Sequence, residues 1–322
     1  MAFWKKKRIG KNSYWYFSKS IRLPDGKVKK IEKRAEKTVP EKQLFEWAAE
    51  QEKKLLAEWA SKHYHANLIF SPEEFAKTEA IRADYKKLLQ KMTRNQLKDL
   101  FDRFTVNFTY ESNALEGNSL TLKDVAIVLF EKTVIKGKEL REIYETINSR
   151  KVIELVLKKK FDVSEKDCIR MHKQLVENMN VATGYKTIPN FLVERNVETT
   201  PPEKVKQEMD ALFRFYEENK GKLHPIELAA AFHAKFEKIH PFEDGNGRVG
   251  RFLINVILLN SGYPPLIIRK TQRIAYFKCL EDADHGYSDN LKRFLLEKYK
   301  ETYRKFFEIY IKYLPEKKPK IV

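Results

Sequence analysis

The segment His240-Pro241-Phe242-Glu243-Asp244-Gly245-Asn246-Gly247-Arg248-Val249-Gly250-Arg251 limits what this chain can fold into more than any other stretch. Upstream of it, Leu228, Ala229, Phe232, Phe236 and Ile239 recur at three- and four-residue spacing, the apolar stripe of an amphipathic helix. Downstream, Phe252, Leu253, Val256 and Ile257 form a second stripe. The spacing predicts a helix, a tight glycine loop and another helix. Pro241, Gly245, Gly247 and Gly250 let the backbone turn sharply and direct N–H groups from the start of the second helix, where the macrodipole favours an anion. Such a loop suits a phosphate.

Two other phosphate and metal patterns fail here. Gly245-Asn246-Gly247-Arg248-Val249-Gly250 fits G-x-G-x-x-G, but a dinucleotide site needs a strand before it and an acidic residue about 20 positions later. A helix precedes this loop, and the later stretch, Ile267-Ile268-Arg269-Lys270, is apolar and basic. Asp244-Gly245-Asn246-Gly247 resembles the opening of a calcium loop, but Arg248 stands where an oxygen ligand is required and no Glu closes the loop.

The remaining side chains divide the labour of phosphoryl chemistry. His240, at a helix end, is suited to accept a proton near neutral pH. Asp244 can hold a Mg²⁺ that bridges nucleotide phosphates, since that ion is bound by one or two carboxylates plus substrate. Arg248 and Arg251 are three apart on the second helix and share a face, so both guanidinium groups can reach one polyphosphate.

These residues resemble the H-x-F-x-[DE]-G-N-G-R-x-x-R signature of Fic-domain proteins at every defined position. The resemblance implies a mainly α fold, a Fic helical bundle with a β-hairpin flap, and transfer of AMP from ATP to a Ser, Thr or Tyr hydroxyl of a target protein and to the chain itself. It implies that His240 deprotonates the target, Phe242 anchors the loop and Asp244 ligates Mg²⁺. Gly245, Asn246 and Gly247 would hold the α- and β-phosphates, and Arg248 and Arg251 the remaining phosphate oxygens. Gly247 stands where the related Doc kinases carry Lys, which favours nucleotidyl transfer over phosphorylation.

Ser112-Asn113-Ala114-Leu115-Glu116-Gly117 resembles the [ST]-x-x-x-E-[GN] inhibitory motif of the same family, in the class whose inhibitory helix precedes the core. Ser112 and Glu116 are four apart and share a helix face, while Gly117 can end the helix. The resemblance implies that Glu116 pairs with Arg251 and denies ATP its productive pose. The same carboxylate would alternatively position a water to remove AMP from a modified target. Nothing in the signature reads the base, so UMP is a further alternative.

Around this core the pattern is helical from Glu41, and then over 72–90, 94–108, 121–132, 137–159, 164–178, 202–218 and 225–239. Ser71 and Ser164 each precede acidic residues and read as N-caps. The run Gly184 to Val193 reads as a second hairpin, and by resemblance it is the flap, with Thr187, Ile188 and Pro189, that aligns an extended target segment. Alternation around Pro24-Asp25-Gly26 predicts an N-terminal hairpin over residues 13–34. Three segments follow: 1–66, a basic hairpin plus helix extension; 67–160, a helical region with the inhibitory motif; and 161–315, the catalytic core and C-terminal helices.

Charge sets the N-terminal segment apart. The chain has 322 residues and a net charge of +18, and its first 40 residues hold 13 basic against three acidic side chains. Interleaved with Trp4, Tyr14, Trp15, Tyr16 and Phe17, these cations suit either a solvated hairpin face or a nucleic acid. A DNA-associated regulator with a Fic core as nucleotide sensor is therefore the alternative from another class. Two cysteines without metal spacing suit a reducing compartment. The longest apolar run, Phe252 to Leu259, falls short of the roughly 20 residues that span a bilayer. A cytoplasmic location without membrane attachment is expected, with ATP and Mg²⁺ bound and a homodimer compatible with the sequence.

Overall fold

Strand alternation around Gly26, whose φ is +86°, produces the antiparallel pair β2 (Asn12–Arg22) and β3 (Val28–Arg34). The expected hairpin gains a third strand, because Trp4 to Arg8 belong to β1 (Ala2–Ile9), which pairs with β2 around Gly10. The computed structural model describes all residues except 1, 37, 132, 193–197, 315–319 and 322. It divides into two compact units, residues 1–91 with 310–322, and residues 92–309.

In the first unit a two-residue strand, β4 (Lys320–Ile321), runs parallel to β1, giving the sheet order β3-β2-β1-β4. Helix α1 (Glu41–His63) covers one face through Leu44 and Ala48, which pack on Trp4 and Phe17. Trp4 and Phe17 are register partners and so point to the same side. Helix α2 (Pro72–Lys91) follows and packs on α1.

The second unit is helical: α3 (Arg94–Leu115), α4 (Leu122–Phe130), α5 (Leu140–Leu157), α6 (Glu165–Leu175), α7 (Pro202–Asn219), α8 (Pro225–Ile239), α9 (Asn246–Asn260), α10 (Arg273–Asp284) and α11 (Asp289–Phe306). Capping boxes at Thr93 with Gln96 and at Thr121 with Asp124 fix the starts of α3 and α4. Every residue of helix α9 from Arg248 to Leu259 is buried, and the helix packs against α3, α5, α6 and α8. Val249, Phe252, Leu253 and Ile257 are fully buried, each contributing about 1.5–3 kcal/mol. The most deeply packed helix thus carries the glycine loop at its N-terminus.

The segment expected as a flap hairpin differs. Residues 182–190 form no strand, and the regular pairing described nearby is one isolated antiparallel bridge, Phe191 to Glu198. Val193 and residues 194–196 lie outside the described residues. The segment is also tied to the glycine loop: the Lys186 N–H donates to the Pro241 carbonyl at 2.8 Å, and Asn190 Nδ2 to the Phe242 carbonyl at 2.9 Å. Pro189 brings no N–H that a ladder could use. Among the described residues no helix is long and apolar enough to cross a membrane.

Candidate active site

Helix α8 ends at His240, whose backbone turns left-handed at φ +50° while its N–H still donates to the Phe236 carbonyl at 2.9 Å. That turn lifts the imidazole out of the helix, where it is partly exposed. One turn earlier the buried Glu237 carboxylate lies 4.0 Å from Nδ1 of both His240 and His233. His233, buried, meets the Tyr276 hydroxyl at 2.6 Å through Nε2. Gly250 makes room for this group, since a Cβ there would stand 2.6 Å from Glu237 Oε1 and 2.8 Å from the His233 ring.

The loop is fastened from within. Phe242 is fully buried and stacks on His172 with ring centroids 3.9 Å apart. Its N–H donates to Asn246 Oδ1 and its carbonyl accepts from Asn246 Nδ2, both at 2.8 Å. His172 Nε2 donates to the Asp244 carbonyl at 3.0 Å, and burial pushes this imidazole down to about 4. The Asn246 side chain therefore closes the loop, and what this residue directs outward is its backbone N–H, in the first helical turn.

Carboxylates already neutralise both signature arginines. Arg248, 2% exposed, has Nη2 3.4 Å from Asp244 Oδ2 and Nη1 3.5 Å from Glu145 Oε1. Arg141, one turn before Glu145 on α5, also pairs with Asp244. Arg251, 3% exposed, donates from Nε to Ser112 Oγ at 3.0 Å and from Nη2 to the Ser112 carbonyl at 2.9 Å. Its Nη2 also lies 2.7 Å from Glu116 Oε1. Burial works against the Arg251 charge, but the Glu116 carboxylate outweighs it and holds the guanidinium above its ordinary pKa.

Helix α3 delivers Glu116 by ending at Leu115, so that Glu116 is its C-cap and Gly117 turns away at φ +95°. Gly247 completes the fit: a Cβ there would stand 2.2 Å from Glu116 Oε1. The carboxylate thus rests against the first turn of α9, where an anion is favoured.

His240, Asp244, Gly245, Gly247, Arg248, Arg251, Ser112 and Glu116 come together here, while Thr187, Ile188 and Pro189 are exposed on the neighbouring loop. Sequence reasoning missed Glu145, Arg141, Glu237, His172 and Lys186. The four-residue spacing of Arg141 and Glu145 was a signal, but such pairs usually face solvent. Lys186 is 5% exposed, its Nζ donates to Asn190 Oδ1 at 2.7 Å and Thr199 Oγ1 at 2.9 Å, and burial lowers its ammonium to about 8. Among the described residues no group of three His, Cys, Asp or Glu could cage a metal. A single half-exposed carboxylate at a helix start does fit a Mg²⁺ that arrives on phosphate oxygens.

An imidazole, one carboxylate and two arginines thus surround the start of a buried helix, where an anion is favoured. Residues 162–258 match the model of the Fic/DOC family, so the chain carries a Fic/DOC domain there. Over 184 residues it is 33% identical to protein adenylyltransferase Fic of Nematostella vectensis, covering 55% of this chain and 43% of that protein. The Drosophila melanogaster protein of the same name is 32% identical over 192 residues, covering 58% of this chain and 39% of the relative. The match thus spans less than half the length of these relatives. Among solved structures, a Fic-domain-containing signaling protein from Bacteroides thetaiotaomicron superposes with TM-score 0.66 at 25% identity, covering 75% of this chain and 99% of that one. Fic-1 (residues 134 to 508) from C. elegans gives TM-score 0.62 at 24% identity, covering 75% and 73%, a likeness of fold.

Proposed function

We propose that this chain is a protein adenylyltransferase that Glu116 holds in a resting state. The observation that carries the reading is the Glu116 carboxylate, 2.7 Å from Arg251 and seated against Gly247 in the anion position of α9. A triphosphate in that place must displace it. A bias of about 3 kcal/mol toward the paired state keeps the competent state below about one per cent.

In the proposed reaction a Ser, Thr or Tyr hydroxyl of a target attacks the α-phosphorus of ATP. The new O–P bond forms as the bond to pyrophosphate breaks, and His240 takes the hydroxyl proton. The first-turn N–H groups of α9 and the guanidinium groups of Arg248 and Arg251 hold the phosphate oxygens, charge stabilisation that carries most of such a reaction. Asp244 would hold Mg²⁺, which supplies charge neutralisation on the phosphates when bound. Arg141 must then yield Asp244 to the ion. The exposed 187–189 stretch lies next to residues bonded to Pro241 and Phe242, which supports its role in receiving the target.

Incorporation of labelled AMP, into the chain itself and into candidate targets, tests the reading. Glu116→Gly should raise it and His240→Ala should abolish it. Incorporation indifferent to both substitutions discards the scheme. Release of AMP from a modified target, in metal without ATP, would reveal the hydrolytic direction instead.

A further inference from the structure

Behind His240 the second unit buries a carboxylate that the proposed transfer does not use. Glu237, 4% exposed, stands one turn back on α8, and its two oxygens face different rings. Oε1 lies 4.0 Å from His233 Nδ1, and Oε2 4.0 Å from His240 Nδ1. Around it stand these two histidines on its own helix, Arg251 of α9 and Tyr276 of α10, the last two close enough to feel its charge. Burying a carboxylate is costly unless donors meet it, and apolar side chains of the same volume fill such a place at lower cost. Packing alone therefore does not account for Glu237.

The donors can be traced from the far end. A guanidinium only donates, and that of Arg251 is within hydrogen-bond reach of the Tyr276 hydroxyl. The tyrosine oxygen accepts there, so its own proton goes to His233 Nε2, at 2.6 Å. A neutral imidazole carries one N–H, which places the His233 proton on Nδ1, the nitrogen that faces Glu237 Oε1. The carboxylate is thereby oriented through its first oxygen, and its second faces His240. His240 Nδ1 is shut off from solvent although the side chain as a whole is 16% exposed. The ring thus turns one nitrogen inward to the carboxylate.

We infer that Glu237 is the positioning residue of the base: it accepts the His240 Nδ1 proton in a hydrogen bond, which leaves the Nε2 lone pair for the target hydroxyl. The inference rests on the adenylyl-transfer reading of the same site. When the hydroxyl proton arrives at Nε2, Nδ1 keeps its own, and the carboxylate stays ionised and steadies the imidazolium. At 4.0 Å the pair is Coulombic, and catalytic hydrogen bonds of this kind shorten when substrate binds. The same row of groups, Arg251, Tyr276, His233 and Glu237, places the orientation of the base one hydrogen-bonded chain away from the arginine that Glu116 holds.

The test uses the full chain with isotope-labelled histidine and the variant Glu237→Gln, alike in shape but uncharged. The His240 resonance, identified by its loss in His240→Ala, is titrated by NMR. A carboxylate beside the ring favours its charged form, so Glu237→Gln should lower the His240 pKa by about one pH unit. In the Glu116→Gly background it should also cut the maximal rate of labelled AMP incorporation by at least about tenfold. The acid limb of that rate should move down by the same amount, and the KM for ATP should stay within about threefold. Glu237→Met, which fills the space without charge, should lose as much rate as Glu237→Gln, whereas a packing role would preserve it. An unmoved His240 pKa in Glu237→Gln, or a parental rate in either variant, overturns the inference. Incorporation that survives His240→Ala would strike the transfer reading instead, and the titration would still decide whether Glu237 governs the imidazole.

Discussion

The N-terminal sheet and the start of α9 both gather positive charge, and they treat it in opposite ways. On the sheet the cations stand in water around one embedded carboxylate, Glu32, whose pKa Lys7 and Lys30 pull down to about 2. On α9 the two arginines are almost fully buried, and each faces a carboxylate from another helix, Glu145 on α5 and Glu116 at the end of α3. An exposed cation contributes little alone and acts by number, weakening as salt rises. A buried cation is costly unless paired, so its partner can be exchanged but not removed. An anion at the start of α9 must therefore compete with carboxylates already in place.

His240→Ala should reduce AMP incorporation most, by on the order of 10³-fold in a Glu116→Gly background, with ATP binding by equilibrium dialysis unchanged. Phe17→Ala, which empties the sheet core, should cost that unit about 3–5 kcal/mol in urea unfolding. AMP incorporation measured on the same sample tells whether the regions work apart, and a matching loss would break the contrast. Glu116→Gly should raise incorporation by about 100-fold, the size of the paired-state bias.

His172 gives a pH signature. Its folded pKa of about 4 lies below the ordinary 6.5, so the unfolded chain binds the extra proton. Stability is full above about pH 6.5 and falls as the pH drops toward 4, by on the order of 2–3 kcal/mol. Denaturant midpoints at pH 7 and 4.5 should therefore differ less in His172→Gln than in the parent. The smallest effect is expected from Glu145→Gln, which leaves Arg248 freer for phosphate and lowers the KM for ATP by about threefold in the Glu116→Gly background. A fall as large as that produced by Glu116→Gly would erase the distinction between the two carboxylates.

Much of this was legible in the chain. Helix boundaries followed from apolar periodicity and caps: Ser164 Oγ accepts the Asp167 N–H, and Pro202 and Pro225 open α7 and α8. The glycine loop and the distant Glu116 followed from spacing plus resemblance. Glu145 and Arg141 did not, because a charged pair on a helix reads as a solvated face, and here the fold buries one member, Glu145, while Arg141 stays exposed. The run from Gly184 to Val193 forms no strand over its residues 184–190, for a related reason. Its β-like pattern is satisfied by hydrogen bonds to Pro241 and Phe242, partners that no local rule names. Strand β1 went unread although its pairing is local, since Lys-rich sequence carries weak strand preference.

Glu116 follows the last residue of α3, and Arg273 Nε grips the Leu115 carbonyl at 2.9 Å just before it. Helix tips unravel at far lower cost than whole helices move. Unlatching Arg251 thus asks only for one terminal turn to melt, with the bundle standing still. A partner that merely tugged at that tip would set the tempo of the proposed transfer without ever touching nucleotide.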